Sequence, residues 1–135
     1  MRELKFRVWE EREKEYDTWP YILDDSGNLF RNAYGALIEC DKKDYIIEQY
    51  TGLKDKNGQK IYEGDIVSEE FEYGGDKTKT IWQVRWCDDE CAFELHYASG
   101  FKVDDCSLVA DDEEDYEVIG NIHKQPELLE ANDVD

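Results

Sequence analysis

The chain has 135 residues, and its 16 basic and 35 acidic side chains give a formal net charge of −19. Apolar residues make up 40% and aromatic residues 13% of the chain, which is enough for one domain with a core and too much for a disordered acidic tail. No apolar run approaches the roughly 18 residues that a membrane-spanning helix needs, and the opening segment MRELKFRVWEEREKE lacks the apolar stretch of a signal peptide, so we expect a soluble cytoplasmic protein.

Strand patterns dominate the first third of the chain. Residues 5–9 alternate polar and apolar side chains, and a charged turn separates them from a return limb at residues 16–19, so we predict a hairpin. Residues 24–28, with the sequence DDSGN, have the composition of a turn. Residues 29–38 are ambiguous, because their apolar spacing fits neither a helix nor a strand. Residues 45–51 are rich in aromatic and β-branched side chains, which predicts a further strand.

The middle of the chain carries two hairpin signals. The Asn-Gly pair at 57–58 predicts a hairpin with a type I′ turn, since that turn needs positive φ at both central residues. The Gly-Gly pair at 74–75 joins residues 66–73 to residues 80–86, and the alternation of apolar and polar side chains in the second segment predicts a half-buried antiparallel strand.

Three more strand-like segments follow, at residues 92–97, 101–103 and 116–122. Many short strands joined by turns rich in Gly and Asp are typical of a barrel or sandwich and not of a parallel α/β sheet. We therefore predict an all-β, mainly antiparallel and small barrel-like fold with one or two short helices. Pro126 can open one such helix, which we expect to run to about Glu130. We predict a single domain over residues 1–130 and a frayed tail at 131–135.

The charge constrains the partners. A surface near −19 repels phosphate backbones and anionic lipid head groups, so we expect no direct nucleic-acid binding and no membrane binding. The acid is uneven, because residues 103–123 contain no Lys or Arg. The simpler interpretation is a solvated loop that keeps the protein soluble. The alternative is a surface that docks a basic partner or mimics a phosphate backbone, formed by the carboxylates Asp104, Asp105, Asp111, Asp112, Glu113, Glu114, Asp115 and Glu117.

The thiols and imidazoles offer little metal chemistry. The four cysteines are Cys40, Cys87, Cys91 and Cys106, and without an export signal we expect them to be reduced. The spacing from Cys87 to Cys91 suits one half of a zinc site, but the second pair of ligands is missing. His96 and His123 complete such a site only if the fold brings them there. We therefore expect ordinary thiols, no metal and no cofactor.

Catalytic motifs are also missing. The sequence has neither of the common phosphate-binding loops, and the calcium-loop pattern fails after both Asp24 and Asp55. Carboxylates are so abundant that a pair of them in the sequence does not distinguish a hydrolase from a protein without catalytic activity. The enzyme alternative is a metal-dependent hydrolase of a nucleotide or phosphoester that uses Asp or Glu with His96 or His123. The sequence favours a non-catalytic protein-interaction module, and self-association through its aromatic strands is one form that the interaction can take.

Glycines recur every six residues at Gly52, Gly58 and Gly64, within the segment QYTGLKDKNGQKIYEGDIV at 49–67. Three tight turns packed into one unit explain this spacing, and a ligand or partner surface is the less economical alternative.

This segment, the opening KFRVWE at 5–10 and the closing YEVIGNIHKQPELLE at 116–130 together resemble the YopX family of phage and prophage proteins. The resemblance runs from Leu4 to Glu130, with Glu10 standing where the family usually has Asp. It implies a small all-β protein encoded in a phage genome, working in the bacterial cytoplasm with protein partners of host or phage origin. It brings no catalytic residue or cofactor. The residues that carry its motifs, which we interpret as structural, are Tyr50, Thr51, Gly52, Leu53, Asn57, Gly58, Tyr62, Glu63, Gly64, Asp65, Ile119, Gly120 and Asn121.

Overall fold

The structure is a computed structural model that describes residues 3–89, 91–96 and 116–133. The described residues form two compact units. The smaller unit is Phe6–Glu48, and the larger one comprises Met1–Lys5 and Gln49–Asp135. The predicted strand at 101–103 lies outside the described residues.

The smaller unit holds five strands and the beginning of a sixth. They are β1 (Phe6–Glu10), β2 (Glu15–Asp17), β3 (Tyr21–Leu23), β4 (Leu29–Ala33), β5 (Ala36–Glu39) and the first part of β6 (Tyr45–Lys54). The strand orders are β2-β1-β6 and β3-β4-β5. β1 and β2 pair in antiparallel fashion with Glu10 opposite Glu15, which confirms the first predicted hairpin.

The ambiguous segment proves to be a second hairpin. β4 and β5 pair without a register shift, and Ala33 lies opposite Ala36. The two residues between them both have positive φ, 53° at Tyr34 and 82° at Gly35, which is the pattern of a type I′ turn. Tyr34 is the reason that the sequence signal was weak, because a bulky aromatic residue rarely adopts positive φ.

The core of the smaller unit forms where these strands pack. Val8, Leu29 and Cys40 are buried together, and the partly buried side chains packed against them are Phe6, Tyr21, Tyr45 and Ile47. A buried carboxylate, Glu48, accepts hydrogen bonds at its Oε1 from Arg7 Nε at 2.9 Å and from the Tyr16 hydroxyl at 2.7 Å. The Arg7 guanidinium also lies 4.3 Å from the centre of the Tyr16 ring, so Arg7 forms an ion pair with Glu48 and a cation–π contact with Tyr16.

The larger unit is built on a four-stranded sheet in the order β10-β9-β8-β11. Its elements are the last part of β6, β7 (Lys60–Tyr62), β8 (Asp65–Tyr73), β9 (Asp76–Cys87), β10 (Ala92–His96), β11 (Tyr116–Asn121) and a 3-10 helix at Pro126–Asp133. The helix begins at Pro126 as predicted, but it ends at Asp133 and not at about Glu130. Both faces of β8 are covered over its first turns of alternation, because the consecutive residues Ile66, Val67 and Ser68 are all at most 1% exposed.

The two predicted middle hairpins are present, but one turn type was wrong. Gly74 and Gly75 both have positive φ, at 61° and 87°, and they connect β8 to β9. In the hairpin from β6 to β7, Gly58 has a φ of 81°, whereas Asn57 is not in the positive-φ region. The Asp55 side chain explains this difference, because it bonds the loop backbone and stabilises a longer turn (see below).

The prediction of an all-β, mainly antiparallel fold is confirmed. The core of the larger unit comprises Ile61, Val67, Trp82, Val84, Leu95 and Tyr116, contributed by five different strands. Among the described residues, no helix is both long and apolar enough to cross a membrane.

Candidate functional site

The Asn57-Gly58 hairpin is organised by one carboxylate. Asp55 Oδ1 accepts the backbone N–H groups of Asn57 and Gln59, both at 2.9 Å, and Oδ2 accepts the N–H of Val118 at 2.9 Å. Asp55 is only 6% exposed, so its three bonds offset the cost of burying a charge. A calcium role is therefore unnecessary to explain this Asp.

The Thr-Gly pair that follows Tyr50 forms a bulge. Between Tyr50 and Lys54 the register shifts, and Gly52 has a φ of 93°. The Thr51 hydroxyl donates to the Ile61 carbonyl at 2.7 Å across the irregularity. Glycine supplies the left-handed backbone and threonine replaces a lost strand-to-strand bond.

Gly64 is a junction between three segments. Its N–H donates to the Val84 carbonyl at 2.9 Å, and its own carbonyl accepts from the Ile122 N–H at 2.8 Å and from Asn121 Nδ2 at 3.2 Å. Asn121 Oδ1 in turn accepts the N–H of His123 at 2.8 Å. The φ of Gly64 is 86°, which favours glycine.

The other motif residues also have structural contacts. Asp65 Oδ2 accepts the N–H of Tyr62 at 2.8 Å, and Glu63 Oε1 accepts the N–H of Gln49 at 2.8 Å. At Gly120 the chain passes so close to the helix that a Cβ would lie 2.6 Å from Leu128 Cδ1. The motif residues named here therefore make turns, a bulge and close approaches within the larger unit.

Seven of the eight acidic candidates, Asp104, Asp105, Asp111, Asp112, Glu113, Glu114 and Asp115, lie outside the described residues. The eighth, Glu117, is on β11, and its Oε2 lies 3.4 Å from Lys56 Nζ. Both side chains are about one-third exposed, so solvent screens this pair.

Among the described residues, a buried carboxylate lies beside a half-buried imidazole. Glu94 is fully buried on β10, and its Oε2 lies 3.2 Å from Nε2 of His96 two residues along the strand. The other imidazole, His123, follows β11 in the turn that Asn121 stabilises. Within residues 3–89, 91–96 and 116–133, no three His, Cys, Asp or Glu side chains are grouped so that they could hold a metal ion.

The described thiols lie in unlike surroundings. Cys40 is buried in the core of the smaller unit, and burial raises the pKa of its thiol. Cys87 is half-buried at the end of β9, and Cys91 is exposed with its Sγ 3.5 Å from the Asp88 carbonyl. Cys106 lies outside the described residues.

Exposed apolar side chains are concentrated in the smaller unit. Among the described residues, the large exposed hydrophobics of the larger unit are Leu4 and Trp86. The smaller unit, with under a third of the chain, exposes seven: Trp19, Ile22, Leu23, Tyr34, Leu37, Ile38 and Ile46.

The strand register shows how this apolar surface is arranged. Ile22 lies opposite Phe30, and Leu37 lies opposite Asn32 two residues further along β4. Residues opposite each other or two apart on one strand share a face, so Ile22, Phe30 and Leu37 form an apolar stripe on one face of the sheet β3-β4-β5. We call Ile22, Phe30 and Leu37 the apolar sheet face. Ile22 is 48% and Leu37 is 59% exposed.

Two open concavities flank these strands within the smaller unit. One, of about 470 Å³, is lined by Asn28, Glu39, Cys40, Asp41 and Lys42. The other, of about 250 Å³, is lined by Phe6, Arg7, Val8, Asp17, Trp19 and Tyr21. In the second, burial and the hydrogen bond to Asp17 raise the pKa of Tyr21, so its hydroxyl stays protonated and donates at 2.8 Å.

Comparison with known proteins identifies the family. The family model described as YopX protein matches residues 5–130. The chain belongs to the YopX family. A search of curated proteins finds no match for this YopX-family chain.

Two solved structures have the same fold over nearly the whole chain. Protein EF1440 from Enterococcus faecalis is 28% identical, with a TM-score of 0.59, and the alignment covers 96% of this chain and 99% of that one. YopX from Bacillus subtilis is 20% identical, with a TM-score of 0.60, and coverage is 95% and 98%.

Sequence reasoning missed the apolar sheet face. It follows from the β4–β5 hairpin, which lies in the segment that the sequence left ambiguous. The available signal was a glycine between two short apolar segments, LF and ALI, at residues 29–38. Gly35 with any residue before it can form a two-residue hairpin loop, provided that the preceding residue tolerates positive φ.

Proposed function

We propose that this YopX-family protein is a non-catalytic protein-interaction module that docks a protein partner through the apolar sheet face. The observation that carries the proposal is the concentration of exposed hydrophobics in the smaller unit, where Ile22 on β3 and Leu37 on β5 share one sheet face with Phe30 on the strand between them. Contiguous exposed apolar side chains mark interaction sites more often than isolated ones do. A partner of host or phage origin would bury them.

The test compares capture by the protein with capture by two variants. Ile22→Ser with Leu37→Ser removes the apolar side chains, and the matched control Leu4→Ser removes one that is 72% exposed in the larger unit. A partner cross-linked in bacterial cells by the unaltered protein and by the control, but lost with the double variant, supports the proposal. Equal capture by all three proteins contradicts it.

A second candidate function is docking of a basic protein by the acidic residues, including mimicry of a nucleic-acid backbone. Its support is the charge distribution. The smaller unit holds six basic and eleven acidic residues, a net −5, so the other residues of the chain carry −14 of the total −19. Such a field accelerates association with a cationic partner.

This second candidate is tested by changing Asp111, Asp112, Glu113, Glu114 and Asp115 to Asn or Gln. A partner that the unaltered protein retains at low salt, and that both the neutralised protein and high salt release, supports acidic docking. Retention that is indifferent to both changes rules it out and leaves the acidic residues as a solubilising segment.

The hydrolase alternative has the Glu94–His96 pair as its support among the described residues. Metal-dependent turnover of a phosphoester that disappears in His96→Asn, with the fold intact, would favour it over the interaction module. Turnover that is unchanged in that variant, or no turnover at all, removes the support that this pair provides.

A further inference from the structure

β5 is an exposed edge strand with no proline and no bulge. Its four residues are all exposed, and it ends the order β3-β4-β5, pairing with β4 on one side in the part of the chain that the structure describes. Natural edge strands are commonly blunted by short length, charged side chains, Pro or a bulge. The sequence Ala36-Leu37-Ile38-Glu39 is short and has one charged residue, but it contains no Pro, and its pairing with β4 shows no register shift.

The hydrogen bonds of this hairpin show which backbone groups face outwards. The Cys40 N–H donates to the Leu29 carbonyl at 2.8 Å, so Cys40 faces β4. Facing alternates along a strand, so Ile38 also faces β4, and the backbone groups of Leu37 and Glu39 face away from it. The free edge therefore presents two N–H donors and two carbonyl acceptors in regular order.

These groups are self-complementary. In an antiparallel pair of two β5 strands with the two-fold axis at Ile38, Leu37 of each copy lies opposite Glu39 of the other, and four backbone hydrogen bonds form. Ile38, which is 44% exposed, then lies opposite its own counterpart. The two Glu39 carboxylates are diagonal and not directly opposite, so like charges do not face each other.

We propose that β5 pairs with β5 of a second copy of this chain in this register, forming a two-fold symmetric dimer. The inference goes beyond the proposed function, because strand pairing uses the backbone edge of β5 and leaves the apolar sheet face open to a partner. The charge distribution permits it, since the unit that contains β5 carries only −5 of the −19. The acidic remainder of each chain stays free for a basic partner.

The charge also determines how the dimer responds to salt. Two chains of −19 repel each other, and salt screens that repulsion over a Debye length of about 10 Å at 0.1 M. The dimer therefore strengthens as salt rises, whereas docking of a basic partner weakens. The sign of the salt dependence separates the two kinds of contact.

The test is sedimentation velocity of the full chain from about 10 μM to about 1 mM, at about 50 mM and about 500 mM NaCl. We expect the dimer fraction to rise with concentration and with salt. Leu37→Pro removes an outward N–H while leaving the bonds to β4, and should raise the dimer dissociation constant at least about tenfold. Leu37→Val keeps the edge and should change it by less than about twofold.

Amide hydrogen exchange gives a measurement that does not depend on a folded proline variant. The amides of Leu37 and Glu39 should exchange more slowly as the concentration of the unaltered protein rises, because the dimer protects them. A monomer at every concentration in high salt, or a dimer that a folded Leu37→Pro retains, overturns the proposal. If such a monomer still captures a partner through Ile22 and Leu37, the proposed function stands without the dimer.

Discussion

The loops at residues 24–28 and 55–59 close in the same way, one in each unit. In each, the first Asp donates its N–H to the carbonyl four residues on, at 2.9 and 2.8 Å. The Gly three residues on donates its N–H back to that Asp, at 3.2 and 3.0 Å. One carboxylate oxygen accepts the N–H groups two and four residues on. The pattern Asp-x-Ser/Asn-Gly therefore forms the same local turn twice.

The two loops differ in what the second carboxylate oxygen does. Asp24 Oδ2 accepts from the Asn28 side chain at 3.1 Å, within the loop. Asp55 Oδ2 accepts from the backbone of Val118, 63 residues away, and Asp55 is buried. The second oxygen of Asp24 therefore bonds within its own loop, whereas that of Asp55 ties the loop between β6 and β7 to β11. The same local motif thus contributes differently to stability.

The largest expected effect is a loss in the free energy of unfolding that distinguishes Asp55 from Asp24. Asp55→Asn keeps one oxygen for the local turn but turns an amide NH₂ towards the Val118 N–H, which sets donor against donor in a buried place. We expect a loss of about 2–3 kcal/mol in the free energy of unfolding, measured by urea denaturation. Asp24→Asn, the matched control, should lose much less, because the Asn28 amide can rotate to restore its bond. Equal losses would show that the bond to Val118 adds nothing.

Replacement of Gly27 or Gly58 by alanine should lower the free energy of unfolding by similar amounts. Gly27 and Gly58 have φ of 84° and 81°, and an added Cβ would meet nothing within 4 Å at either position. Alanine at each therefore suffers only the cost of the left-handed backbone, about 1–2 kcal/mol. The two unfolding free energies, measured under the same conditions, should fall by amounts that agree within about 0.5 kcal/mol. A much greater loss for Gly58→Ala would mean that its turn is not local.

The pH dependence of Asp24 reports on the locally closed loop. The Asn28 N–H, 2.7 Å from Oδ1, is the main reason that the pKa of Asp24 lies below its ordinary value. A depressed pKa in the folded state means that the stabilisation is complete above the unfolded pKa and is lost as pH falls through the folded pKa. An NMR titration should give a lower midpoint in the folded protein than in urea. Asn28→Ala, which keeps the backbone N–H and removes the side-chain bond, should remove only part of the depression of the Asp24 pKa.

The smallest expected effect is on the salt bridge between Lys56 and Glu117, which lies next to the Asp55 loop. Lys56→Gln removes the 3.4 Å contact with Glu117, and because both side chains are exposed to solvent we expect at most about 0.5 kcal/mol at low salt. The loss should disappear at about 0.5 M NaCl. Glu117→Gln should give the same loss, and combining the two changes should add nothing. A loss that survives high salt would mean that Lys56 acts through packing.

Sequence reasoning succeeded where the turn residues are of a type that tolerates the backbone conformation that the turn requires. Gly74 and Gly75 form the predicted hairpin because glycine tolerates the positive φ that both positions need. At Asn57 the position was right and the turn type was wrong, because the Asp55 carboxylate bonded the loop and selected a longer closure. At Tyr34 the same kind of turn was missed, because tyrosine gives no signal for positive φ.

The sequence alone determined the fold class, most hairpins and the family, because strand alternation, glycine turns and motif blocks are local features of the chain. Tertiary structure decided which apolar residues stay exposed. Leu29 and Leu37 are both leucines in short strands, yet one is 2% and the other 59% exposed, because they lie on opposite faces of the sheet β3-β4-β5. Register and packing set that difference, and no pattern within either strand contains it.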